Sequence, residues 1–113
     1  MEDLDFQVYH RDDLIANVKV RGMSVTVKNH SNNIIFRPFT TERPTYLEFL
    51  EFMEDRCVPK TRADISQLLA SIGLTEYNPI EIVKRSHGVM FEDFIWIKFK
   101  GEKLTYEDVK IRD

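Results

Sequence analysis

The sequence predicts an α+β domain in which an antiparallel sheet of four to five strands carries three helices on one face. Three observations support this fold. Apolar and polar residues alternate along the N-terminal part, three later segments carry apolar residues at helical spacing, and an aromatic and β-branched run returns near the C-terminus. The predicted element order is β-β-β-β-α-α-α-β-α. With 113 residues, the chain fits a single domain, 1–113, that buries a core without disulfides.

The alternation near the N-terminus predicts four strands, over Phe6–Tyr9, Leu14–Val20, Met23–Lys28 and Ile34–Phe39. Turn residues at Arg11-Asp12-Asp13 and at Arg21-Gly22 separate the first three strands, so these strands form hairpins. Pro38 lacks a backbone donor, which confines the fourth strand to a sheet edge or to its own end.

Helix starts are predicted by capping boxes, at Thr45 with Glu48, at Thr61 with Asp64 and at Thr105 with Asp108. Apolar stripes follow the first two boxes, formed by Tyr46, Phe49, Leu50 and Met53 and by Ile65, Leu68, Leu69 and Ile72.

The ends of two helices are also marked in the sequence. Gly73 suits the left-handed residue that ends the second helix. Asn78-Pro79 opens a third helix, as N-cap and first helical residue, and His87-Gly88 closes it. The run Phe94–Phe99 then predicts a strand, and the Thr105 box a short final helix.

Composition limits location and partners. One Cys cannot form an internal disulfide, and no apolar leader begins the chain, so we expect a reducing cytoplasm. No apolar run approaches the roughly 20 residues that cross a bilayer. The net charge is −3, and acidic and basic residues are evenly mixed along the chain. Both properties argue weakly against sequence-independent nucleic-acid binding.

Neither a cofactor nor a metal is predicted. Isolated glycines exclude a P-loop and a dinucleotide fingerprint. His10, His30 and His87 are too scattered for a zinc motif. Glu92-Asp93 could bind magnesium together with Asp64 or Glu81, although adjacent acids before a strand are usually a solvated turn.

His87 is the best catalytic candidate, because Glu92 and Asp93 follow it closely and Cys57 lies in the same half of the chain. His87 with Glu92 or Asp93 would define a hydrolase, and nucleophilic catalysis would require a Cys-His pair. However, His87 shares the helical spacing of Ile80 and Val83, which favours a structural imidazole, and Cys57 is more typical of a small buried apolar residue.

Two charged surfaces could bind a partner. A basic patch would combine residues that flank the connector Cys57–Pro59 with residues that end the third helix, namely Arg56, Lys60 and Arg62 with Lys84 and Arg85. An acidic face on the first helix would carry Glu48, Glu51, Glu54 and Asp55. For each surface the simpler interpretation is ordinary solvated charge.

The segment from Arg56 to Asp113 resembles a family of small proteins from phages and integrative elements of Gram-positive bacteria, through RCVPKTRADISQLL, GLTEYNPIEIV, HGVMFEDFIWIKF and GEKLTYEDVKIRD. Type II anti-CRISPR proteins occur among such proteins, so the resemblance implies a binding inhibitor of an RNA-guided nuclease.

Three hypotheses follow. The first is a non-enzymatic interaction protein of a mobile genetic element, with a host nuclease or its ribonucleoprotein complex as partner. The second is a small regulator that binds nucleic acid weakly through the basic patch, and the third is a cryptic hydrolase. We expect that the protein is not an enzyme, binds no cofactor and has no membrane partner.

Overall fold

A computed structural model describes residues 3–30, 38–39 and 41–111. Four strands, β1 (Leu4–His10), β2 (Asp13–Arg21), β3 (Ser24–Asn29) and β4 (Ile95–Phe99), form one antiparallel sheet in the order β3-β2-β1-β4. Helices α1 (Tyr46–Asp55), α2 (Ile65–Ser71) and α3 (Pro79–Ser86) separate β3 from β4, and α4 (Tyr106–Val109) follows. The α+β class is therefore confirmed, and the order of the described elements matches the predicted order apart from the fourth predicted strand.

The alternation predicted for the second strand is broken by a β-bulge. The pairing changes register between Val8 and Tyr9, so that Val8 lies opposite Ala16 but Tyr9 lies opposite Leu14. The extra residue is Ile15, which is buried together with Ala16. Leu14, predicted to share a face with Ala16, therefore shares a face with Tyr9 instead, because a bulge places two residues of one strand against one of its partner.

The second hairpin turn lies one residue later than predicted. Arg21 pairs with Ser24, so Gly22 and Met23 form the turn, and Gly22 takes the positive φ of 60° that this turn requires. Met23 was predicted to begin the third strand, but it lies outside the strand and is 64% exposed.

The caps at α1 and α3 are confirmed. The Thr45 hydroxyl accepts from the Glu48 amide while the Glu48 carboxylate accepts from the Thr45 amide, and the Asn78 side chain caps α3 at Pro79. At α4 the Asp108 carboxylate accepts from the Thr105 amide, as the third capping box predicts.

The prediction of a capping box at Thr61 and Asp64 is wrong. Helix α2 begins at Ile65, and its N-cap Asp64 makes no capping hydrogen bond. Arg62 explains this difference, since its Nε lies 2.6 Å from the Asp64 Oδ1 and takes the carboxylate that the box would use. The end of α2 is as predicted, with Gly73 at a φ of 80°.

One hydrophobic core joins the inner face of the sheet to the three longer helices, which confirms that they pack on one face. It includes Phe49 and Met53 of α1, Leu69 of α2 and Val83 of α3. Of the fourth predicted strand, residues 34–37 lie outside the described residues. Phe39 is not in a strand, and its ring centroid lies 5.0 Å from that of Phe52 in the core.

Candidate functional site

Arg56, predicted to bind a partner, is only 8% exposed. Its guanidinium donates two hydrogen bonds to the Asp93 carboxylate, of 2.8 and 2.9 Å, and further bonds to the carbonyls of Gly88 and Ile95. This side chain ties the end of α1 to the start of β4. Arg56 is therefore a structural residue and not part of an exposed basic patch, which corrects the prediction.

Asp93, one of the candidate hydrolase carboxylates, is held by the same contacts. Partial burial alone would raise its pKa, but the Arg56 hydrogen bonds, the Ile95 amide and the Arg56 charge together lower the pKa below its usual value. The carboxylate consequently stays ionised and engaged at neutral pH. It is poorly suited to act as a general base, since a catalytic base needs a pKa near the working pH.

His87 is the left-handed residue that ends α3, with a φ of 59°. Its imidazole Nε2 lies 2.9 Å from a Glu102 carboxylate oxygen, so its acidic partner is Glu102 and neither Glu92 nor Asp93. The pairing of His87 with Glu92 or Asp93, on which the hydrolase hypothesis depends, is therefore not formed. The His87 carbonyl also accepts from the Ile97 amide, so both ends of this residue have a structural partner.

The backbone amides of edge strand β4 that point away from β1 all donate hydrogen bonds to neighbouring groups. Ile95 donates to the Asp93 carboxylate, Ile97 to the His87 carbonyl and Phe99 to the Glu102 carboxylate. An edge strand with unpaired amides is a template for adding another strand. These three contacts close that edge, which explains the structural roles of His87, Asp93 and Glu102.

Cys57 is buried, and its thiol donates to the Met53 carbonyl over 3.1 Å. Burial and, to a smaller extent, the nearby Glu54 charge raise its pKa to about 12 against the opposing effect of Arg56. A thiol reacts as the thiolate. The structural interpretation of Cys57 is therefore supported by its surroundings.

The remaining members of the basic patch have local partners. Arg62 pairs with Asp64, and Arg85 and Lys84 both pair with Glu81 on α3, at 2.9 and 3.9 Å. The Lys60 ammonium lies 6.0 Å from the Tyr77 ring centroid. Each of these charges therefore has a neighbour that offsets or holds it, and the buried Arg56 does not add its charge to them at the surface.

The acidic face of α1 is exposed as predicted, at Glu48, Glu51, Glu54 and Asp55. Leu47 on the same helix is 64% exposed. The last turn contains no basic residue, so Glu54 and Asp55 lie at the negative end of the helix dipole, where a carboxylate costs about 0.3–1 kcal/mol. A helix optimised only for stability would carry bases there.

A basic surface that the sequence did not reveal lies on the sheet face opposite the core. We call it the lysine face, and it comprises Gln7, Asn17, Lys19, Thr26, Lys28, Lys98 and Lys100, around a hollow of about 720 Å³. These residues come from separate strands and are brought together by strand register. Only knowledge of the pairing of β1 with β4, 85 or more residues apart in the chain, would have revealed it.

No protein-family model, curated protein or solved structure matches this chain. Among the described residues, no helix is long and apolar enough to span a membrane. The same residues contain no cluster of three or more His, Cys, Asp or Glu side chains arranged for a metal ion.

Proposed function

We propose that this chain is a non-enzymatic interaction protein of a bacterial mobile genetic element, which acts in the cytoplasm and inhibits an RNA-guided nuclease. In this proposal the acidic face of α1 binds a positively charged surface of the nuclease. The resemblance of the segment from Arg56 to Asp113 to small mobile-element proteins supports this class of function.

The observation that carries the proposal is the unbalanced charge of α1. Glu51, Glu54 and Asp55 are exposed, and the sequence of the helix, YLEFLEFMED, contains no base. The next residue, Arg56, directs its charge inward to Asp93. Acids placed against the helix dipole without a compensating base reduce stability, and such local conflicts are expected where a surface serves function.

The partner chemistry follows from this charge. An RNA-guided nuclease holds its nucleic acids in positively charged channels, and a row of carboxylates complements such a channel. Complementary charge mainly accelerates association and depends on ionic strength. Exposed Leu47 beside the row would add apolar contact at the same interface.

Hydrolysis by His87 is the less favoured function, because Glu102 occupies its imidazole and Arg56 occupies Asp93. These contacts give both side chains a structural role. The favoured proposal requires no reacting group, only an exposed surface.

The test is inhibition of target cleavage by a type II RNA-guided nuclease of a Gram-positive host. The variant Glu51→Lys, Glu54→Lys, Asp55→Lys leaves the Glu48 cap intact and places bases where the helix dipole favours them. The control reverses three exposed acids elsewhere, Glu42, Glu76 and Glu107. We expect the α1 variant to need at least tenfold more protein for half inhibition at low salt, and the control to match the wild type. Equal inhibition by both variants would overturn the proposal.

A further inference from the structure

The lysine face has a regular composition across the sheet. Strand register places Lys28, Asn17, Gln7 and Lys98 side by side in one row that crosses all four strands. Neighbouring strands lie about 4.8 Å apart, so the two lysines at the ends of the row are separated by roughly 14 Å, with two amide side chains between them.

A second row extends the same surface. Thr26 lies opposite Lys19, which lies opposite Asp5, and the Lys100 amide bonds the Asp5 carbonyl beyond it. The Asp5 carboxylate offsets part of this charge, since its Oδ2 lies 4.0 Å from the Lys100 ammonium, but it is shared with Arg21, from which it accepts two hydrogen bonds of 3.0 Å. Lys19, Lys28 and Lys100 are exposed, so the surface is cationic despite the acidic net charge of the chain.

Two lysine-face groups are held in place before any ligand binds. The Lys98 ammonium lies 4.6 Å from the Tyr9 ring centroid, and that ring stacks on Trp96 at 5.0 Å. The Gln7 amide donates to the Asn17 side chain over 3.1 Å. Groups fixed in this way lose little conformational freedom on binding.

We propose that the lysine face binds single-stranded nucleic acid. Lysines at both ends of the row would contact phosphates. The Gln7 and Asn17 amides contact each other, Tyr9 and His30, and the hydrogen-bonding capacity that they keep beside these contacts would meet the edges of unpaired bases. A duplex hides the pairing edges of its bases inside the base pairs. It presents the other base edges only in its grooves, which a shallow sheet face does not enter. The site is separate from the acidic face of α1 and does not rest on the proposed function.

The test is the binding of a fluorescein-labelled 15-nucleotide single strand of mixed sequence, measured by anisotropy from 50 to 300 mM salt. The variant Lys28→Glu, Lys98→Glu removes both ends of the row. The matched control, Lys60→Glu, Arg62→Glu, makes the same charge change on the connector before α2. We expect at least a tenfold loss of affinity at 50 mM salt for the first variant and less than a threefold loss for the control.

The salt dependence gives a second readout. Each phosphate contact to a single strand contributes about 0.7 to the slope of log affinity against log salt, so loss of two contacts should reduce the slope by about 1.4. The variant Lys28→Arg, Lys98→Arg keeps the charges and should bind within threefold of the wild type, which separates charge loss from any disturbance of the Tyr9 and Trp96 stack.

Three results would overturn the inference. They are absence of binding by the wild type at 100 µM protein and 50 mM salt, an equal loss in the connector control, and binding to the matching duplex or to polyglutamate at least as tight as to the single strand. The α1 variant leaves the lysine face unchanged. A negative result in the cleavage assay can therefore be distinguished from a negative result in the single-strand binding assay.

Discussion

Arg56 and Asp93 form a two-bond ion pair that joins the end of α1 to the turn before β4. The sequence had suggested separate functional roles for them, a partner contact for Arg56 and catalysis for Asp93. Their contact across 37 sequence positions gives both a structural role, and it leaves the acids of α1 as the unmatched charge at that end of the helix.

Replacing Arg56 by Met should destabilise the fold by about 3 kcal/mol, because it removes the charged partner of Asp93 and leaves the carbonyls of Gly88 and Ile95 without the Arg56 donor. Arg56→Lys should recover only part of this loss, since an ammonium cannot form the two parallel bonds. Urea denaturation measures both. A loss below about 0.5 kcal/mol for Arg56→Met would show that the pair is an incidental contact.

The Asp93 pair should make part of the stability dependent on acid. Since the pKa of Asp93 is lowered from 3.8 in the folded protein, its contribution is complete above that value and is lost as the pH falls through the folded pKa. The difference in free energy of unfolding between the wild type and Asp93→Asn should therefore be constant above about pH 5 and shrink below about pH 4. A difference that does not change between those pH ranges would contradict this assignment.

His87→Gln should lower stability by about 1 kcal/mol, through loss of the hydrogen bond to Glu102. Combining it with Glu102→Gln in a double-mutant cycle tests whether the loss arises from that pair. Nuclease inhibition per folded molecule should not change. Full stability with abolished activity would instead identify His87 as a functional residue.

Cys57 should resist alkylation in the native protein at pH 8. With a pKa of about 12 instead of 9.0, its thiolate fraction falls about a thousandfold. The rate with iodoacetamide, followed by mass spectrometry, should be at least a hundredfold below that in 6 M guanidinium chloride. Comparable rates in the two conditions would show that the thiol is accessible and ionisable in the folded protein.

Local signals predicted more than distant ones. Thr45 with Glu48 and Asn78 with Pro79 fix helix starts through contacts within four residues, which a sequence displays directly. The box at Thr61 failed because a single neighbour, Arg62, competes for the same carboxylate. Side-chain periodicity likewise gave the first three strands, apart from the displacement of Leu14 at the bulge.

The candidate surfaces show the same limit. The acidic face of α1 was predictable, because helical geometry alone places its carboxylates in solvent. The lysine face was not predictable, since Lys28 and Lys98 come to lie at the two ends of one polar row only through the pairing of four strands. An even mixture of charges along the chain thus folds into an acidic helix and a basic sheet face, so net charge was a poor guide to partners.

The most direct test of the central claim, that the acidic face of α1 binds a partner, is quantitative affinity capture from the cytosol of a Gram-positive host. The wild type, the variant Glu51→Lys, Glu54→Lys, Asp55→Lys and the control reversed at Glu42, Glu76 and Glu107 would be compared at 50 and 300 mM salt.

We expect the wild type and the control to enrich an RNA-guided nuclease at least tenfold at low salt, and the α1 variant, folded and at least as stable, to lose it. Retention of the same nuclease by the α1 variant at low salt, or its absence from the wild-type capture, would contradict a partner-binding role of the acidic face.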